Sequence, residues 1–94
     1  MALKWTKTAL DNLGKIADYI AKDNLERAKT FIQEIREETN LLVEFHSVGR
    51  AGRVVGTREL VAHKNYIVVY RLKGVDVQII RIHHVAQKYP DRFE

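Results

Sequence analysis

The chain contains no cysteine, which excludes disulfides and thiol chemistry. It has a single proline, Pro90, and that residue argues against a further central strand near the C-terminus. No apolar run approaches a membrane-spanning length, and no signal peptide precedes the first strand candidate, so the expectation is a cytoplasmic protein with no membrane partner. Repeats and low-complexity segments are absent. Metal-ligand spacings such as HExxH and CxxC, phosphate-binding GxGxxG or Walker patterns, and any Ser/His/Asp arrangement are missing as well, so no metal site and no cofactor is expected.

What is present fits one small domain spanning residues 1–94, 46% hydrophobic and 30% charged. The net charge of +4 is unevenly placed. Residues 1–45 hold seven Lys/Arg against eight Asp/Glu, a net of −1, whereas residues 46–94 hold nine against four, a net of +5. All four histidines, His46, His63, His83 and His84, lie in the basic half. A basic half of this kind suits an acidic partner, either nucleic acid or an acidic protein.

The apolar spacing changes once along the chain. Leu3 and Trp5 alternate with Lys4 and Thr6 as in a short strand, and Thr8 with Asp11 has the form of a helix start. Ala9, Leu10, Leu13, Ile16, Ala17 and Ile20 then fall on one helical face, which predicts a helix near 8–21. Gly14 inside it suggests close approach by a neighbour. Asp23 or Asn24 caps a second helix near 24–45, with Ala28, Phe31, Ile32, Ile35, Thr39 and Leu42 as its stripe. The short turn between them predicts an antiparallel helix hairpin.

After Phe45 the helical period stops. Strands are expected at 57–62, 66–72 and 75–83, with Lys73-Gly74 as a two-residue turn. In that register Tyr66, Val68, Tyr70, Val77 and Ile79 face the helices. Ile67, Val69, Ile80 and Ile82 form an apolar patch on the open face, with His84 beside them. The fold class is therefore α+β, with an N-terminal strand and an antiparallel helix hairpin packed on an antiparallel sheet.

Between helices and strands lies Gly49-Arg50-Ala51-Gly52-Arg53-Val54-Val55-Gly56-Thr57-Arg58-Glu59-Leu60. Glycines free the backbone, and arginines present planar forks suited to phosphate or carboxylate. Arg50, Arg53, Arg58, Lys64, Arg71, Arg81, His84 and Lys88 make up the cation set. Such a set, with no carboxylate or metal, can steady a phosphate while a 2′-hydroxyl attacks, and it can equally bind without catalysis. His83 and His84, adjacent on a strand, point to opposite faces and cannot share a metal.

This order of elements resembles the RelE/ParE toxin superfamily of bacterial type II toxin–antitoxin systems. The likeness runs from Leu3 to about Pro90. It rests on the Gly49–Leu60 segment, which looks like GRxGRxxGTREL, on Tyr66-Ile67-Val68-Val69-Tyr70-Arg71, and on Ile80-Arg81-Ile82-His83-His84-Val85-Ala86-Gln87-Lys88-Tyr89-Pro90. The resemblance implies a compact toxin and a cognate ParD- or RelB-like antitoxin whose acidic, amphipathic segment orders on binding, covering Ile67, Val69, Ile80 and Ile82. Operator DNA would be contacted only through that antitoxin.

Two activities live on the fold, and the fold does not choose between them. ParE-like members poison DNA gyrase, and RelE-like members cut messenger RNA in the ribosome. The nucleases commonly carry an arginine directly after the first tyrosine of the meander motif, and here that place is Ile67. The resemblance therefore leans to the ParE-like branch, with Arg50, Arg53, Arg58, Arg71 and Lys88 as target-binding residues. The alternative is a ribosome-dependent endoribonuclease using Arg58, Arg81 and His84. A third alternative is a non-toxic binding module on the same scaffold.

Overall fold

A computed structural model describes residues 2–86 of the chain. In order they form β1 (Leu3–Trp5), α1 (Lys7–Asp23), α2 (Leu25–Asn40), a 3-10 turn at Leu41–Val43, β2 (Arg50–Ala51), β3 (Arg58–Ala62), β4 (Tyr66–Lys73) and β5 (Asp76–His84). The five strands make one sheet in the order β1-β5-β4-β3-β2, covered on one face by the two helices. The class is α+β, as the spacing implies. The sheet is mixed: β1 runs parallel to β5, pairing Leu3 with Val77 and Trp5 with Ile79, and the other neighbours are antiparallel.

The first helix starts at Thr6, not at the expected Thr8. The Thr6 side chain accepts a hydrogen bond from Ala9 N–H at 3.0 Å and its hydroxyl donates to Ile80 O at 2.9 Å. Its N–H donates to Ile79 O at 3.0 Å, so one residue closes β1 and opens α1. Asn24 serves two helices in the same way. Its N–H donates to Ile20 O at 3.0 Å to end α1, and its side chain accepts from Arg27 N–H at 3.1 Å to begin α2. The second helix ends at Asn40, earlier than expected, and Leu42 in the following 3-10 turn continues the buried stripe. Gly14 has open space around it, so no neighbour's approach explains it.

The β4–β5 hairpin departs from the expected register in two ways. Its loop is Gly74-Val75, because Lys73 already pairs with Asp76. Gly74 takes φ +63° at the first loop position, where a type II′ turn favours glycine. The register also shifts midway. Tyr70 pairs with Ile79 but Val69 pairs with Arg81, so Ile80 is an extra residue in β5, a β-bulge.

The bulge inverts the faces of everything beyond it. Ile82 was expected on the open face. It belongs to the helix-side core with Phe31, Ile35, Leu42, Val68 and Tyr70, and is 2% exposed. His84 follows it to the helix side and meets the Tyr66 ring edge-on at 5.4 Å. Arg81 and His83 come to the open face instead, opposite Val69 and Ile67. The turn between β3 and β4 uses positive φ at His63 and Lys64, and His63 docks on α2 through Glu34 at 2.8 Å and the Phe31 ring.

Candidate functional site

The Gly/Arg segment is a braced loop, not a loose one. Tyr70 is fully buried, and its hydroxyl accepts from Gly49 N–H at 2.9 Å and donates to His46 O at 2.7 Å. Burial raises the Tyr70 pKa above its ordinary 10.0, outweighing the opposing Gly49 bond and Arg58 charge, so the hydroxyl keeps the proton it donates. A Cβ on Gly49 would lie 2.5 Å from that hydroxyl and 2.9 Å from Glu59 O, so only glycine fits. Gly52 passes equally close to Thr57 and donates to its carbonyl at 2.8 Å. The Thr57 hydroxyl donates to Val54 O at 2.6 Å, and Gly56 turns the chain with φ +86°. These contacts close residues 52–57 into a tight reverse turn that leaves Val55 99% exposed at its tip.

The arginines of this loop divide between faces. Arg58 pairs with Tyr70 on the helix side, and its guanidinium donates to Gly49 O at 2.8 Å and Ser47 O at 3.4 Å. Arg50 lies opposite Glu59 on the other face, with its guanidinium 3.2 Å and its Nε 3.3 Å from the same carboxylate oxygen. The second oxygen of Glu59 accepts from Arg53 N–H at 3.3 Å. Glu59 is only 7% exposed, so a buried carboxylate stands at the centre of a cationic face.

Below that carboxylate lies a cleft of about 320 Å³, lined among others by Arg50, Arg53, Glu59, Ile67 and His83. Ile67, in its lining, belongs to a small cluster with Val69 and Ile80, exposed by 6, 0 and 8%. The expected exposed apolar patch is therefore absent. Its three remaining members are already covered within the chain, beneath a face that also carries Arg50, Arg71 and Gln78. Arg71 donates from Nε to Gln78 Oε1 at 2.8 Å. Arg81 adds a buried Nε with no hydrogen-bond partner among the described residues. His83 is held below its ordinary pKa of 6.5, first by burial and then by the Arg81 charge, with Glu59 opposing and Arg53 adding to the depression.

Of the residues singled out from the sequence, Arg50, Arg53, Arg71, Arg81, Ile67, Val69 and Ile80 gather on or under the open face. Arg58, Ile82 and His84 do not. His84 lines a separate cleft with Lys15, Ile16, Tyr19 and Tyr66. Lys88 lies outside the described residues. The sequence pattern missed Glu59, Tyr70 as the loop's anchor, and His83. The bulge had hidden His83 by exchanging it with His84. Among the described residues no group of three or more His, Asp or Glu could hold a metal ion, and no helix is long and apolar enough to cross a membrane.

Comparison with known proteins yields a consistent set. Residues 3–89 match the family described as ParE toxin of type II toxin-antitoxin system, parDE. A Sinorhizobium fredii protein named as a toxin, Y4kP, is 38% identical over 89 residues, covering 94% of this chain and 92% of that protein. Toxin RelE2 of Caulobacter vibrioides is 31% identical over 83 residues, covering 88% and 93%. A solved structure of a chromosomal ParDE toxin–antitoxin system from P. aeruginosa superposes with a TM-score of 0.81 at 35% identity, covering 90% of this chain and 96% of that one.

Proposed function

The chain belongs to the ParE toxin family of type II toxin–antitoxin systems, and from that premise we propose that it arrests growth by inhibiting DNA gyrase and is neutralised by a cognate antitoxin. The observation that carries the choice of target is the division of the cations. A nuclease needs its phosphate-steadying and proton-transferring groups on one reacting phosphate. Here Arg58 and His84 stand on the helix side of the sheet and Arg81 on the open side. Ile67 lines the cleft where the nucleases of the superfamily commonly carry an arginine. The loop instead offers a rigid apolar tip, Val55, beside the exposed Arg53 and Arg58, which suits a protein surface.

The antitoxin, in this proposal, docks over the open face, which carries Arg50, Arg53, Arg71 and Arg81 together with the buried cluster Ile67, Val69 and Ile80. Its acidic side chains meet the arginines first, and apolar contact with that cluster follows only where they swing aside.

One observation favours the runner-up, ribosome-dependent mRNA cleavage: Arg81, His83 and Glu59 share the open face, an arrangement capable of proton transfer. Induced expression in bacteria separates the two. Filamentation with a DNA-damage response supports gyrase as the target. Immediate translational arrest with mRNA cut at codon positions supports the runner-up.

A further inference from the structure

We propose that Glu59 is a specificity-determining residue that keeps nucleic acid off the cationic face. This inference rests on the toxin acting through a protein target, and it gives that choice a physical device. The basic half of the chain, with a net of +5, would by itself attract any polyanion. Glu59 counters this in two ways.

The first is occupation. Arg50 has its Nε and one Nη committed to a single Glu59 oxygen, at 3.3 and 3.2 Å, and Arg53 N–H is committed to the other at 3.3 Å. A phosphate reaching for the Arg50 fork must take it from a carboxylate that is 7% exposed and would be left without that cation. The second is repulsion. Glu59 pairs directly with Val69, and Val69 pairs with Arg81 on its other side, so the carboxylate stands in the same cross-strand row as the Arg81 cation of the open face. A phosphodiester backbone carries one negative charge per nucleotide and would have to settle close to this fixed charge. An acidic protein segment can place a single carboxylate at Arg81 and pass Glu59 with neutral residues. Glu59 is thus tolerant of a patterned peptide and intolerant of a uniform polyanion.

The test is binding of the full chain to a fluorescein-labelled oligouridylate, followed by anisotropy across a salt series. Wild type should bind weakly with a shallow salt dependence. Glu59→Gln keeps an acceptor for Arg53 N–H but removes the charge, and should bind at least about tenfold more tightly, as expected for one uncompensated charge at a close contact. Its log–log salt slope should steepen by about 0.7 for each arginine released to a phosphate. Glu59→Asp keeps the charge with a shorter reach to Arg50, and should gain clearly less than Glu59→Gln. If Glu59→Gln fails to fold, Glu59→Met, similar in volume and apolar, should show the same gain.

Folded Gln or Met variants that bind no more tightly than wild type overturn the inference. An equal gain in the Asp variant also overturns it, because the cause would then be loosened structure and not lost charge. The outcome is separable from the choice of target. A gain on Glu59→Gln with no effect of wild type on gyrase leaves the filter standing and removes gyrase.

Discussion

The Tyr70 hydroxyl and the Gly49 N–H are 2.9 Å apart, and this contact between the middle of β4 and the start of the Gly/Arg loop fixes where the loop arginines stand. The same hydroxyl donates to His46 O at 2.7 Å. Tyr70→Phe should therefore leave one buried and one partly buried backbone group without this partner while keeping the ring in the core, at a cost of about 1–3 kcal/mol. Urea denaturation measures the loss. Amide exchange at Gly49 should accelerate more than exchange in α1, which distinguishes a freed loop from general destabilisation.

Two glycines should respond with opposite sign. Gly49→Ala puts a methyl against the Tyr70 hydroxyl and the Glu59 carbonyl, and neither can retreat without breaking the loop's bonds. That variant should lose stability. Gly14→Ala meets nothing and should gain about 0.8–1 kcal/mol from helix propensity. Thermal melts of the pair, run side by side, give the comparison.

The bulge at Ile80 makes a prediction that the unbulged register would reverse. Ile82 is a core residue here, so Ile82→Ala should cost about 2–5 kcal/mol, whereas Val61→Ala, at a half-exposed position on the open face, should stay within about 0.5 kcal/mol. Equal, small effects at both positions would mean that Ile82 faces outward.

Much of the fold was legible because its signals are local and periodic. The helix stripe Phe31, Ile35, Thr39 and Leu42 is buried as its spacing implies, and Asn24 caps as its chemistry implies. The site was less legible because an extra residue in a strand leaves no mark on composition. Tyr66 to Leu72 and Asp76 to Ile82 are apolar enough to pair in several registers, and only the packed sheet shows that Ile80 is the extra one. The same shift moved His83 into the cleft and His84 out of it. Glu59 escaped notice for another reason. In the sequence it is one acid among several basic residues, and its weight comes from the short strand β2, which brings Arg50 opposite it.

His83 gives the molecule a sign-specific pH dependence. Burial, with Arg81 and Arg53, holds its folded pKa below the ordinary 6.5, so the ring stays neutral in the fold. As pH falls through 6.5, the unfolded chain gains a proton that the folded chain refuses, and stability drops. Glu38 works the other way. Burial and Glu34 raise its pKa above 4.5 against the pull of His63, so its contribution is fully present below 4.5 and fades as pH rises. Chemical denaturation from about pH 7 to about pH 5 should therefore show a smaller acid loss in His83→Gln than in wild type.

The most direct measurement is purified protein added to DNA gyrase in a supercoiling and cleavage assay, beside ribosomes programmed with messenger RNA. The proposed function predicts inhibited supercoiling with accumulated cleavage complexes, weakened by substituting Arg53 with alanine and little changed by His84→Ala, and no ribosome-dependent cleavage. Gyrase left fully active, with mRNA cut on the ribosome and that cutting abolished by substituting Arg81 or His83, would contradict it.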